Sequence, residues 1–534
     1  MKGFTLVEKK LSLYRYLLAN SYLVGALVIG FFLRLYAVEH CYVINTDSVY
    51  YIYQARAIAN NMWNAAQSCG PYHFISLYSF FVVIFHKLFD DWTVAATMTS
   101  LFFGTITIVP FYFMMKRFFP TAVAGLIALI FACTPVFVRE SAEIMKDPVF
   151  WFFSVLGIYL FIRAADKGKS KIFILSSFSF CLASFARVEG LFLFSGSFLF
   201  LLFRKERDYR HILSFSAPII FIMLVTLSSF FISQGGQSLW SIYVLPRFQT
   251  FTTFIENPFS NGMTRKLEEL NSQHVAFIPP DFFKWVQKTL WIFPLGILIM
   301  RIIPAFYLPF FLLFLAGIKG IKKEMGKESL IYYLFSLSVL SFIFLYIFIL
   351  KVWVMEKRYV AVFLFPSFVF VGFGLLKLID FLGRKGLGKK ATVLILSILI
   401  IAVTLPENLK ERRKDSLPYR EIGEFIAAEE QVENVAIASS ASASLWISFY
   451  AHRHVSNLVC PAPVVDYGEL IKKQYPDLIA FLKTKQIDYF VWEEDRWKGS
   501  PYDFLELVNA RDMIKLGQWE ANRGRLVLFR VAND

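Results

Sequence analysis

Apolar runs of close to twenty residues alternate along this chain with short polar segments rich in Lys and Arg. A helical run of that length crosses the roughly 30 Å hydrocarbon layer of a bilayer. Backbone in lipid must satisfy its own N–H and C=O groups, and the runs lack the period-two alternation of a barrel strand. The pattern therefore predicts a polytopic α-helical membrane protein of about eleven transmembrane helices. The predicted spans are 17–36, 92–115, 121–138, 148–163, one on each side of 186–190, 211–232, one within 291–318, 330–350, 360–378 and about 391–405. The stretch 74–89, "FISLYSFFVVIFHKLF", is short and interrupted by His86 and Lys87, and is read as an interfacial or re-entrant helix. Counting it as a span would invert every later loop. The segment 48–64 is amphipathic and is expected to lie flat on the membrane.

With this count nearly every dense basic cluster falls on one side. These clusters are Lys9, Lys10 and Arg15; Lys116-Arg117; Arg163 to Lys171; "RKERDYR"; "KGIKKEMGKE"; and "RKGLGKK". The positive-inside bias makes that side the cytoplasm, with the N-terminus on it, in the inner (cytoplasmic) membrane. The first run lacks a small-residue cleavage site and reads as a retained span. Residues 37–91, 233–290 and 406–534 are then extracytoplasmic.

The tail changes character. It is mixed in charge, and "YREIGEFIAAEE", "SLWISFYAHR" and "PDLIAFLKTKQ" read as helices. "NVAIASS", "IDYFVWEE" and "RLVLFRV" read as strands. The alternation predicts a small extracytoplasmic α/β domain over 406–534 with a partly parallel sheet, after a membrane domain over 1–405.

Composition adds little beyond this. Of 534 residues 57% are hydrophobic and 61 are Phe, as a membrane chain requires. The net charge of +15 sits in the cytoplasmic clusters, so no nucleic-acid partner is expected. Five cysteines form no metal pattern, and Cys133 and Cys181 lie in apolar runs as packing residues. An oxidising exterior would allow a Cys41–Cys69 disulfide, leaving Cys460 unpaired. His452 and His454 read as surface residues rather than a metal pair, and the tail holds no Gly-rich phosphate loop.

The candidate chemistry lies where ionisable groups meet the membrane on the outer side. Asp47 follows the first span. Glu140, Glu143, Lys146 and Asp147 follow the third, and Arg187 with Glu189 occupies the turn between the fifth and sixth. Glu356, Lys357 and Arg358 follow the ninth, and Arg301 lies within the eighth apolar stretch. Carboxylates at a wet membrane edge can act as general bases on a hydroxyl. Arginines grip phosphate with a planar fork. A phosphate at the lipid boundary points to a lipid-linked substrate whose tail stays in the bilayer. The combination suits attack at a sugar carbon with a lipid phosphate leaving, the fixed positive charge stabilising that phosphate.

"NTDSVYYIYQARAIA" after the first span resembles the first outer loop of the GT-C membrane glycosyltransferases. The resemblance is to the branch of the protein O-mannosyltransferases and the lipid A aminoarabinose transferase. Asp47 matches the acid of that loop, and Ser48 stands where a second acid is common. "SAEIMKDPVFWFF" is similar to the second acidic motif, with Asp147 opening the fourth span, and "ARVEG" to the basic turn. "EKRYVAVFLFP" resembles the Arg-Tyr…Pro stretch through Arg358, Tyr359 and Pro366. The resemblance implies an inverting transfer from a polyprenyl-phosphate-linked sugar to a glycan, lipid or protein hydroxyl. Asp47 would be the base or acceptor-orienting acid, and Asp147 would hold sugar or acceptor. Arg358, with Arg187 and Lys146, would bind the donor phosphate, and Glu143, Tyr359 and Arg301 complete the predicted substrate-binding set. No cofactor is expected, an obligatory divalent metal included. The rival reading is a transporter or lipid-linked-sugar flippase, which Arg301 and the broken stretch 74–89 fit equally well. Against it, no internal repeat is visible. A third reading, an assembly protein working through its tail, predicts that the tail functions alone.

Overall fold

The computed structural model describes residues 20–68, 70, 74–204, 208–232, 269, 280–429, 435–455, 460, 464–466, 471, 474–498, 500, 502–522 and 524–532. The N-terminal basic group, Cys69, and the Gly235-Gly236 and Pro279 positions of the long loop lie outside the described residues. The chain divides into two compact units. One comprises 1–36, 100–142 and 146–409, the other 37–99, 143–145 and 410–534.

The first unit is a bundle of apolar helices, and the chain is a multi-pass membrane protein. Seven described helices are long and apolar enough to cross a bilayer: Ser21–Glu39, Trp92–Lys116, Asp147–Lys167, Tyr209–Ser229, Ser329–Val352, Lys357–Arg384 and Lys389–Asn408. Two bent pairs bring the number to nine. Thr121–Cys133 and Pro135–Ser141 meet at 54°, and Ile292–Phe306 and Leu308–Ile318 at 106°. The two helices flanking the Arg187 turn, Ser170–Ala186 and Gly190–Phe203, have 17 and 14 residues. They stand where the other two of the predicted eleven spans lie but fall short of the roughly twenty residues that cross unaided, so seven to nine spans are supported among the described residues. Phe32, Leu213, Phe221, Met300, Leu394 and Ile398 are exposed on helix surfaces, as lipid-facing side chains should be.

Two local devices shape the bundle. Pro135 lacks an N–H, so the span beginning at Thr121 breaks there and frees carbonyls in the interior. Buried Arg34 donates to Ala132 O at 3.0 Å, and buried Asn408 to Cys133 O at 2.8 Å, which satisfies two of them. Helices Leu308–Ile318 and Ala361–Arg384 touch backbone to backbone. A Cβ on Gly317 would lie 1.7 Å from Phe370 O, and one on Gly374 would lie 1.9 Å from Leu313 O.

The second unit is built on a five-stranded sheet of order β2-β1-β3-β5-β4. The strands are β1 (Ile437–Ser439), β2 (Val464–Asp466), β3 (Tyr489–Glu493), β4 (Met513–Ala521) and β5 (Gly524–Val531). β1 pairs in parallel with β2 and β3, whereas β5 is antiparallel to β3 and β4. Helices Leu417–Glu429, Ala441–Ala451 and Tyr475–Thr484 stand where the sequence predicts them. Leu478, Leu482, Phe490 and Phe529 fill one face of the sheet, and Ile422, Ile447, Val491 and Leu528 the other.

The tail does not form this unit alone, which differs from the predicted boundary at 405/406. Cys41 bridges to the backbone of Arg412, the Trp446 indole donates to Ile44 O at 2.8 Å, and Arg453 pairs with Asp91 at 3.2 Å. The segment expected to lie flat on the membrane is instead a core helix, Thr46–Ala59, with nine buried residues. Buried Arg56 in that helix donates to the carbonyls of Val455 and Arg453. Gln54 ties it to the short helix that follows, Trp63–Ser68, through Ala66 O, and to the start of Leu77–Phe89 through Phe74 O and Ser76 N. At 13 residues Leu77–Phe89 is too short to cross a bilayer.

The cysteine and histidine expectations are corrected. Cys41 is a free thiol, its Sγ directed at Val43 O, so it is not bonded to Cys69. Cys460, expected to be unpaired, is disulfide-bonded. His452 is wholly buried rather than on the surface. Its Nε2 accepts from Val435 N–H at 3.0 Å, which assigns the proton to Nδ1, donating to Ser448 O at 2.7 Å.

Candidate active site

In the first unit, three separated stretches deliver acids and bases to one place. Asp147 opens the helix Asp147–Lys167, with Pro148 behind it where the missing N–H costs nothing. Arg187 leads the turn between Ser170–Ala186 and Gly190–Phe203. This turn closes only with glycine at 190, because a Cβ there would lie 2.4 Å from Ser184 N. Arg358 and Tyr359 lie in the 3-10 turn Lys357–Val360, ahead of the helix Ala361–Arg384.

Arg187 is the hub. Its Nη1 pairs with Asp147 Oδ1 at 2.7 Å, and its Nη2 and Nε reach Glu189 Oε1 at 2.5 and 3.2 Å. Its guanidinium lies 4.5 Å from the Tyr359 ring centroid, and that of Arg358 lies 5.5 Å from the same ring. Burial alone would lower the Arg187 pKa, but Asp147 and Glu189 outweigh it and hold that pKa well above its ordinary value. Arg358 is buried, with Nε 3.2 Å from the exposed Glu356.

Asp147 is 1% exposed and only its Oδ1 is engaged. Oδ2 is buried without a hydrogen-bond partner. A buried carboxylate oxygen left open is costly, so the position invites a donor from a bound molecule. Two guanidiniums beside one such acid can hold a phosphate while the acid accepts from a hydroxyl.

The second unit holds the other predicted acids. Asp47 lies half-buried in the first turn of Thr46–Ala59, where the helix dipole favours a carboxylate. Asn45 caps that turn by accepting from Asp47 N–H at 3.1 Å. Ser48, buried, donates to Ile144 O at 2.9 Å, and Asn45 donates to Glu143 Oε2 at 3.1 Å, so the Asp47 loop is tied to segment 143–145. Glu143 is 3% exposed and has an ion-pair partner at each oxygen, with hydrogen bonds at Oε2 alone. Oε1 faces Arg412, and Oε2 takes Arg413 at 2.9 Å as well as Asn45. Burial opposes its charge, but the two arginines and Asn45 win and hold its pKa below the usual carboxylate range.

Of the other predicted residues, Lys146 is half-buried as the N-cap of Asp147–Lys167. Arg301 is exposed on Ile292–Phe306 and makes no hydrogen bond or ion pair with the rest of the set among the described residues. Arg412 and Arg413 were not predicted. Their signal was a dense basic run, "KERRK", just after the last predicted span, on the side where the predicted topology and its positive-inside bias do not call for one. Among the described residues no group of three or more His, Cys, Asp or Glu is placed to hold a metal ion.

The sequence model of the dolichyl-phosphate-mannose-protein mannosyltransferase family matches residues 76–233. No curated protein matches the chain. Among solved structures, the ArnT protein of Cupriavidus metallidurans in its apo state is similar over 97% of this chain and 98% of its own, at 12% identity and TM-score 0.56. The form bound to undecaprenyl phosphate covers 95% and 97%, at 11% identity and TM-score 0.50. The apo oligosaccharyltransferase of Archaeoglobus fulgidus is similar over 96% of this chain and 74% of its own, at 14% identity and TM-score 0.58. The chain has the GT-C fold of membrane glycosyltransferases.

Proposed function

We propose that this GT-C-fold protein is an inverting glycosyltransferase that moves a sugar from a polyprenyl-phosphate donor to an acceptor hydroxyl at the outer face of the cytoplasmic membrane. The observation that carries the reading is the open, buried Oδ2 of Asp147 beside the guanidiniums of Arg187 and Arg358. A transporter needs no such half-satisfied acid at a fixed phosphate grip. The ArnT structure with undecaprenyl phosphate supports the donor class, and the mannosyltransferase family match supports sugar transfer. The disulfide at Cys460 supports an oxidising compartment around the tail.

In this reading Arg358, Arg187 and Lys146 bind the donor phosphate while the polyprenyl tail stays in lipid. The acceptor oxygen attacks the anomeric carbon from the face opposite the phosphate. The new C–O bond forms as the bond to the phosphate oxygen breaks, and its electron pair leaves with the polyprenyl phosphate, whose charge the guanidiniums stabilise. Asp47 takes the acceptor proton. Asp147 accepts from a sugar or acceptor hydroxyl and fixes its orientation. Glu143 keeps its loop in place, and the acceptor class, whether glycan, lipid or protein, is open to assay.

The test uses purified protein with several labelled polyprenyl-phosphate sugars and mass detection of product. Wild type should transfer at least one sugar, and Asp147→Asn and Arg358→Ala should fail to do so at a comparable rate. Full activity in both variants would defeat the assignment.

A further inference from the structure

We propose that the α/β part of the second unit carries a separate binding site for a neutral polyhydroxylated ligand, a glycan segment, in the cavity between Tyr419, Trp446 and Glu493. The cavity has a volume of about 450 Å³ and is formed entirely by residues from 413 onward. Ligand sites typically occupy roughly 300–1,000 Å³.

Three features select the ligand class. The first is an aromatic wall. Tyr419 from Leu417–Glu429 and Trp446 from Ala441–Ala451 lie with ring centroids 5.8 Å apart and planes tilted by 35°. The negative face of an aromatic ring receives the weakly positive C–H face of a sugar. Both rings are held in place, Trp446 by its bond to Ile44 O and Tyr419 by its hydroxyl donating to Glu493 Oε2 at 3.2 Å.

The second feature is charge balance. Three guanidiniums, of Arg413, Arg496 and Arg525, line the cavity with four carboxylates. A phosphate or a polycation would meet like charge wherever it turned. A hydroxyl, which donates and accepts at once, meets a partner of either kind. The third is preorganisation. Arg525 is paired with Glu494 at 3.2 Å, and Arg413 with Glu143 at 2.9 Å. Glu493, at the end of β3 and 5% exposed, accepts from Ser440 N–H at 3.1 Å. Side chains already ordered lose little entropy when a ligand binds.

The cavity shares no residue with the groups assigned to transfer, so this inference does not rest on that assignment. The experiment is saturation-transfer-difference NMR on the full-length protein in detergent. The probes are mannotriose, maltotriose and chitotriose, with inorganic phosphate and a Ser/Thr-rich peptide as controls. At least one trisaccharide should bind. Asp415→Ala combined with Arg496→Ala, both exposed on the rim, should weaken binding about tenfold or more while leaving the thermal transition in place. Trp446→Phe, which keeps an aromatic face, should retain part of it. Asp147→Asn should bind as wild type does, even where it transfers nothing. No trisaccharide binding, binding indifferent to the rim substitutions, or binding of phosphate or peptide alone would overturn the proposal.

Discussion

Glu143 and Asp147 lie four positions apart, and both are carboxylates buried beside arginine, yet they are chemically unlike. Glu143 is closed by charge: Oε1, which takes no hydrogen bond, faces the Arg412 guanidinium, and Oε2 takes Arg413 and Asn45. Asp147 gives one oxygen to Arg187 and keeps the other open. Burial and a neighbouring cation therefore do not identify a reacting acid, because structural ion pairs have both. A buried oxygen that faces no ion-pair partner separates the two: Glu143 Oε1 has Arg412, whereas Asp147 Oδ2 has none. Such an oxygen is a liability for stability and an asset for binding.

The largest effects should appear where the open acid and its proposed partners are altered. Asp47→Asn should lower turnover by about a thousandfold, within the range of a lost general base. Its effect on donor affinity should be small. Asp147→Asn should cost on the order of a hundredfold in kcat with little change in melting temperature, since Arg187 retains Glu189. A large melting shift with intact kcat would make Asp147 another Glu143. Arg358→Ala comes next. Loss of one charged phosphate contact costs about 1.5–3 kcal/mol. KM for the donor should therefore rise roughly ten- to a hundredfold, measured by titrating the polyprenyl-phosphate sugar.

Glu143→Gln should show the reverse pattern. It leaves Arg412 and Arg413 without their shared charge, at a cost of about 2 kcal/mol given their partial exposure. Its depressed pKa sets the sign of the pH response. The contribution is complete above the unfolded carboxylate value near 4.3 and is lost as pH falls through the folded value. Melting curves on detergent-purified protein should show wild type losing its advantage over Glu143→Gln on acidification below about pH 4. A variant with wild-type melting and no turnover would place Glu143 in the chemistry.

The sequence carried the membrane fold because apolar run length and basic clustering are local signals. Each span could be read without knowing its neighbours. Asp147, Arg187, Arg358 and Tyr359 were legible for a related reason: each stands at the mouth of a helix, where a charge is conspicuous. The association of 37–99 with the tail was not legible. It rests on contacts such as Trp446 with Ile44 and Arg56 with Val455, more than three hundred residues apart in the chain. Strand β4 was overlooked because only Met513 is buried and the rest of the strand reads as polar edge. Arg412 and Arg413 went unread because their partner, Glu143, lies about 270 residues away in the chain.

The smallest expected effect concerns the last misread residue. His452 resembled a surface histidine because the polar stretch "HRH" surrounds it, but it is buried in its neutral form. Desolvation lowers its pKa, against a smaller opposing effect from Ser448 O. Protonating Nε2 would remove the acceptor of Val435 N–H and place a charge in the interior. A depressed folded pKa means that stability is complete above the unfolded value near 6.5 and declines as pH drops through it toward the folded value. One buried hydrogen bond is worth about 1 kcal/mol. The unfolding transition of the second unit should therefore move down by a few degrees between pH 7 and pH 5, and His452→Gln, which cannot titrate, should flatten that slope. An unchanged slope in His452→Gln would show that the proton goes elsewhere, and the open-versus-closed distinction drawn for the two acids would not extend to this histidine.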